Sequence, residues 1–111
     1  MALEAKTLAP ETLAEQERAT RIIRAHEADL RALGVARLWL FGSIARGQAG
    51  PQSDVDVMIA IPSGRKFSLF DLGEVRVELC ELLGREVDVV IEEDLRPDFR
   101  RDIAPDLVGV F

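Results

Sequence analysis

The sequence predicts an α/β domain of the α+β kind, with a mixed three- or four-stranded sheet packed on two long helices. Three observations predict it. Short apolar runs bounded by Gly and Pro, at Leu38–Phe41 and Val55–Ile61, read as buried strands, and Glu86–Ile91 supplies a third. Two longer segments carry apolar residues at helical spacing. The chain of 111 residues is long enough for one hydrophobic core but not for two, so residues 1–111 are read as a single domain.

The elements follow in order. Residues 1–10 are expected to be a loose lead-in. Thr12 with Glu15 three residues on forms a capping-box pattern, and a helix from about Glu11 to Leu33 follows, stopped by Gly34. Leu13, Ile22, Ile23, Leu30 and Leu33 mark its packing face. His26, the only histidine, lies on this helix and reads as filler without chemistry. The first strand is expected at Arg37–Phe41 and the second at Asp54–Ile61, with a turn at Pro62–Lys66. Ser68 and Asp71 can cap a second long helix running to Leu83 and ended by Gly84. Its buried stripe is read as Leu69, Leu72, Val75 or Arg76, Leu79 and Leu82, and Gly73 weakens its first half. Cys80 sits beside that stripe as a small apolar residue. After the third strand, Glu92-Glu93-Asp94 reads as a solvated turn. Pro97 opens a short terminal helix ended by Pro105. Leu107–Phe111 is an apolar tail that must pack on its own sheet or on a partner.

Composition narrows the function. Apolar content of 48% with 31% charged residues fits a folded globular chain rather than a disordered one. No apolar run approaches the roughly 20 residues of a membrane span, and the N-terminus lacks the pattern of a signal peptide. A single cysteine excludes an internal disulfide and fits a reducing cytoplasm. Net charge is −6, with no basic cluster longer than Arg100-Arg101, so direct nucleic-acid binding ranks below a nucleotide plus a protein or small molecule.

The chemistry concentrates in Leu38–Ile61. Asp54 and Asp56 are one residue apart, so in a strand they share a face with Cα atoms roughly 6.6 Å apart. Two such carboxylates repel and resist desolvation unless a cation lies between them. Oxygen-only ligands favour Mg2+ or Mn2+ over Zn2+. Gly42-Ser43 directly follows the first strand and precedes a helical turn at Ile44-Ala45-Arg46. It offers backbone N–H groups and a hydroxyl to a phosphate, which glycine lets approach closely. Asp88 lies within an apolar run; if its strand pairs beside that of Asp54 and Asp56, it becomes a third acid of the same cluster.

Gly42-Ser43, ten residues, then Asp54-Val55-Asp56 resembles the signature of the nucleotidyltransferase (DNA polymerase β-like) superfamily. The wording Phe41-Gly42-Ser43-Ile44-Ala45-Arg46-Gly47 and Ser53-Asp54-Val55-Asp56 is similar to its minimal nucleotidyltransferase (MNT) branch. The similarity runs from about Leu38 to the C-terminus. It implies a small nucleotidyltransferase fold and a third carboxylate on a later strand, the position Asp88 occupies. Asp54, Asp56 and Asp88 are then the catalytic and metal-binding acids, holding two Mg2+ ions (or Mn2+) about 3.5–4 Å apart. Gly42 and Ser43 would hold the β- and γ-phosphates of ATP, and Asp88 would complete the second metal site or take the acceptor's proton. Arg46 would neutralise phosphate charge, or equally form an exposed salt bridge.

The acceptor is expected on a separate polypeptide, since the chain leaves no room for the extra helical domains of larger relatives. The resemblance implies a HEPN-domain toxin as that partner, modified by transfer of AMP to a tyrosine hydroxyl. The chain itself contains no tyrosine. Two alternatives stand beside this reading. One is a non-catalytic module that neutralises a HEPN partner by occlusion, docking through Phe67, Phe70 or Phe111. The other is a transferase acting on a small-molecule hydroxyl such as an antibiotic's.

Overall fold

The computed structural model describes residues 10–50 and 52–111. Helix α1 (Pro10–Ala25) opens on proline, which suits a first turn whose N–H groups have no helical acceptor. It begins two residues ahead of Thr12, whose side chain lies outside the described residues, as does the expected lead-in before Pro10. The single helix expected to run to Leu33 is instead two. The chain tightens at His26, whose N–H reaches back only to the Ile23 carbonyl (3.0 Å), and α2 (Glu27–Ala32) follows. No glycine or proline stands there, so packing rather than propensity sets the break. Gly34, at φ +113°, ends α2 as expected.

Strand β1 (Arg37–Phe41) leads into the short helix α3 (Gly42–Ala45), and β2 (Val55–Ala60) follows a loop. Helix α4 (Leu69–Leu83) carries the expected capping box: the Asp71 N–H donates to the Ser68 hydroxyl while the Ser68 N–H donates to the Asp71 carboxylate. Gly84 in the left-handed conformation (φ +67°) stops it. Then come β3 (Val87–Ile91), α5 (Pro97–Ile103) and the two-residue β4 (Val108–Gly109). The strand order is β3-β2-β1-β4, with β1 antiparallel to both neighbours and β2 parallel to β3.

Alternation along the strands divides the sheet into two faces. Leu38, Leu40, Val55, Val57, Ile59 and Val87 turn toward the helices and pack with Ile23, Leu30, Val75, Leu79 and Leu83. The α4 stripe is thus rotated from the expected one. Leu69 is 84% exposed, and Val75, Leu79 and Leu83 carry the burial, with Leu72 and Cys80 packed at its margin. The opposite face holds Phe41, Met58 and Ile103, with Trp39, Val90, Leu95 and Leu107 around them, so α5 covers part of that face. The apolar tail packs on its own sheet. β4 pairs with β1, Val110 is buried, and Arg24 Nε donates to the Val110 carbonyl (2.9 Å). Among the described residues no helix is long and apolar enough to cross a membrane.

Candidate active site

The sheet register assembles the acids. Asp56 is the second residue of β2; across the antiparallel hairpin it faces Phe41, the last residue of β1. On its other side the parallel ladder sets it level with Asp88. Neighbouring strands lie about 4.8 Å apart, and level residues project to the same side. Asp56 and Asp88 therefore stand together on the face turned away from α1 and α4, in the same alternation as Met58 and Val90. Asp54 lies two residues ahead of Asp56, just outside the strand and exposed. Asp56 itself is half-buried, beside the edge-on pair Phe41 and Phe99 (ring centroids 6.3 Å apart).

The electrostatics agree with this grouping. Burial raises the Asp56 carboxyl above the ordinary aspartate value; the negative charges of Asp88 and then Asp54 raise it further, and Arg46 offsets part of the rise. Both neighbouring acids thus act on Asp56. Among the described residues no three His, Cys, Asp or Glu side chains are gathered closely enough to cage an ion as they stand. The donor set nonetheless fits a hard divalent cation: it is all oxygen, it is anionic, and ionisation of its central member is opposed by the other two.

Gly42 is built against this cluster. It adopts φ +73°, and a β-carbon there would stand 2.2 Å from Asp56 Oδ2, closer than any side chain tolerates. Glycine at this position lets the Asp56 carboxylate lie directly on the backbone where β1 turns into α3. Ser43 follows, half-buried, with its carbonyl accepting from the Gln48 N–H (2.8 Å). Arg46 ends the α3 turn. Its guanidinium pairs with Asp106 (3.0 Å) and donates to Gln48 Oε1 (3.1 Å), so its exposed salt bridge is present while its charge still reaches Asp56.

Two features of the site escaped the sequence reading. Ser53 closes a turn: the Gly50 N–H donates to its Oγ (2.9 Å) and its own N–H donates to the Gly50 carbonyl (3.1 Å). Arg85, between α4 and β3, inserts its guanidinium beneath that turn, bonding the Gly50 and Ser53 carbonyls and Glu15 of α1. An arginine directly after a helix-stopping glycine was the one available signal, and it is a weak one.

Two acids of the Glu92-Glu93-Asp94 run have structural partners. Glu92 pairs with Arg100 (2.7 Å), and Glu93 accepts from the Ile61 N–H (3.0 Å). Of the three candidate docking aromatics, Phe67 and Phe111 pack against the core, while Phe70 is 86% exposed. Phe70 lines a groove of about 580 Å³ with Leu33, Leu69, Gly73, Glu74, Val77 and Glu78.

Comparison with known proteins gives a consistent family. The nucleotidyltransferase domain family matches residues 23–108. A Methanocaldococcus jannaschii protein provisionally named a protein adenylyltransferase is 38% identical over 77 residues, spanning 69% of this chain and 81% of that one. Protein adenylyltransferase MntA of Thermococcus cleftensis is 36% identical over 93 residues, 80% of this chain and 89% of that one. Among solved structures, a tri-AMPylated Shewanella oneidensis HEPN toxin in complex with MNT antitoxin contains a chain of the same fold (TM-score 0.60, 15% identity, covering 83% of this chain and 71% of that one).

Proposed function

This chain belongs to the nucleotidyltransferase family of enzymes, in its minimal (MNT) branch, and we propose that it moves AMP from ATP onto a hydroxyl of a partner protein, specifically a tyrosine of a HEPN-domain toxin in the cytoplasm. The observation that carries the reading is the contact of Gly42 with Asp56, itself level with Asp88 across the parallel ladder. It joins a phosphate-accepting turn to a carboxylate cluster at one end of the sheet.

Asp54, Asp56 and Asp88 would hold two Mg2+ ions, or Mn2+. When bound, such ions neutralise charge on the transferring phosphate and lower the pKa of an attacking hydroxyl. The chain's own groups do the rest. Gly42 and Ser43 present backbone N–H groups and a hydroxyl to the β- and γ-phosphates. Arg46, held by Asp106, adds positive charge beside them without entering the acid cluster. The acceptor oxygen bonds to the α-phosphorus, the bond to the bridging oxygen breaks, and pyrophosphate leaves. Asp88, exposed at the cluster's margin, takes the acceptor's proton.

The relatives' names support a protein acceptor over a small molecule. For the occlusion reading, the relevant feature is the apolar groove around Leu69 and Phe70. These residues open α4, whereas the acids lie at the start of β2 and β3, the strand that α4 leads into. A 15-residue helix spans about 22 Å, so a partner seated on that groove docks at the far end of α4 from the acids. That separation favours docking combined with transfer over simple plugging of the site.

The test is incubation with α-labelled ATP, Mg2+ and host lysate, with the Asp54→Asn/Asp56→Asn double variant alongside. A labelled protein band lost in the variant is expected, with tyrosine as the modified residue by mass spectrometry. If the double variant still protects cells from the toxin while transferring nothing, occlusion replaces transfer as the mechanism.

A further inference from the structure

Arg85 contributes nothing to the phosphate or the acids directly, yet it is the most enclosed charge near the site, with only 8% of its side chain exposed. Its three partners come from two parts of the chain, α1 and the loop before β2. Nη1 pairs with Glu15 of α1, which is itself 18% exposed. Nη2 donates to the Gly50 carbonyl (2.6 Å), and Nε and Nη2 both donate to the Ser53 carbonyl (3.0 and 2.7 Å). The Ser53 carbonyl belongs to the peptide unit whose nitrogen is that of Asp54. Among the described residues no other hydrogen bond holds that unit, and the Ser53 side chain and N–H close the turn with Gly50.

We propose that Arg85 is the positioning residue of the site: its guanidinium pins the Gly50–Ser53 turn to α1 and, through the Ser53 carbonyl, sets where Asp54 stands relative to Asp56. The physical case rests on number and kind of bonds. A planar guanidinium satisfies two carbonyls and a carboxylate at once, which a lysine ammonium on a flexible stem does not reproduce in the same geometry. Asp54 needs such support because it lies outside the ladder that holds Asp56 and Asp88. The first regular bond beyond it is Val55 N–H to the Glu86 carbonyl (3.0 Å), at the residue next to Arg85. Arg85 and Glu86 together thus brace both sides of Asp54. Glu15 fixes the guanidinium in turn, which extends the site's support to α1.

The proposal rests on Asp54 being an acid of the transferase site, and its test separates the two. Amide hydrogen exchange at Ser53 and Val55, Mn2+ affinity by electron paramagnetic resonance, and the kcat and KM(ATP) of AMP transfer are compared in wild type, Arg85→Ala, Arg85→Lys and Glu15→Gln. For Arg85→Ala, faster exchange confined to this turn is expected, with Mn2+ affinity and kcat each lower by about tenfold or more, as for loss of a group that orients a metal ligand. KM for ATP is expected to change little, because Gly42 and Ser43 are untouched. Arg85→Lys should recover part of the Mn2+ affinity, and Glu15→Gln should fall between. Should Arg85→Ala fail to fold, Arg85→Lys against wild type carries the same comparison. Wild-type exchange and Mn2+ affinity in a folded Arg85 variant overturn the proposal. Absence of transfer by the wild type overturns the transferase reading instead, and the exchange data then still decide whether Arg85 holds the turn.

Discussion

Replacing Gly42 with alanine separates the cost to the fold from the cost to the chemistry. The added β-carbon would stand 2.2 Å from Asp56 Oδ2, 3.1 Å from its Cγ and 3.3 Å from its Cβ, whereas ordinary contact begins near 3.4 Å. The backbone cannot yield easily, because Gly42 links β1 to α3 within the sheet, so the carboxylate must retreat by about 1 Å. A shift of that size at a reacting centre lowers rate by about a hundredfold, or about 2.7 kcal/mol of barrier. Alanine in the left-handed region adds about 1–2 kcal/mol of strain to the folded state. Against a typical domain stability of about 5–15 kcal/mol, the variant remains folded. Its melting temperature should fall by about 4–16 °C at roughly 4–8 °C per kcal/mol. The rate loss therefore reports geometry, not unfolding. Circular dichroism gives the melting shift, and initial rates with α-labelled ATP at saturating Mg2+ give the activity. A folded Gly42→Ala protein working within about threefold of wild type would show that the Gly42–Asp56 contact has no part in transfer.

Three further outcomes are expected. The Asp56 carboxyl holds its proton more tightly folded than unfolded, so its contribution to stability falls as pH rises from the ordinary value of about 3.9 through its raised value. Asp56→Asn should thus melt higher than wild type at pH 7 without added metal, converge with it in acid, and lose at least about a hundredfold in transfer rate; a lower metal-free melting temperature at pH 7 would contradict the charge reading. Chelation with EDTA should weaken ATP binding by at least about tenfold in calorimetry, because a bare triphosphate faces three carboxylates; unchanged affinity would remove the metal from the scheme. Leu69→Asp and Phe70→Asp, at 84% and 86% exposed positions, should leave stability within about 0.5 kcal/mol and basal nucleotide binding intact while weakening the proposed complex with a HEPN-domain protein, measured by pull-down and titration. Full partner affinity in both variants would exclude that groove as the docking surface.

What could be read from sequence follows how local the determinants are. β1 and the start and stop of α4 are written in neighbouring residues: apolar runs of fixed length, Ser68 with Asp71, and Gly84. The joining of Asp88 to Asp56 was legible only as a condition, because strand order is set by long-range packing, and the parallel β2–β3 ladder fulfils it. The break at His26 and the outward turn of Leu69 were not legible, since neither residue is a glycine or proline that would break a helix and an apolar Leu69 at helical spacing reads as core. Helical periodicity gives a stripe, but the angle at which α4 sits on the sheet decides which residues of its first turn reach the core. The Arg85 clamp was hidden for a related reason. Two of its three partners are backbone carbonyls, which every residue possesses, so no pattern of side chains announces it.

The placement of charge explains why the site is built at strand ends. Asp56 and Asp88 occupy positions where the ladder has already satisfied the backbone, leaving few N–H groups to stabilise carboxylates. The nearby cation, Arg46, divides itself between Asp106 and Gln48, and it offsets rather than cancels the rise at Asp56. Arg85, the enclosed cation, spends its donors on Glu15 and two carbonyls. Negative charge is therefore concentrated without an internal counter-ion to absorb it. A fold selected for stability alone would place a lysine or an amide there. On the proposed transferase reading, three acids beside a glycine turn make sense because metal ions would supply the compensating charge: the same unpaired charge that weakens the empty fold would draw in the ions, and these would offset its repulsion of a triphosphate.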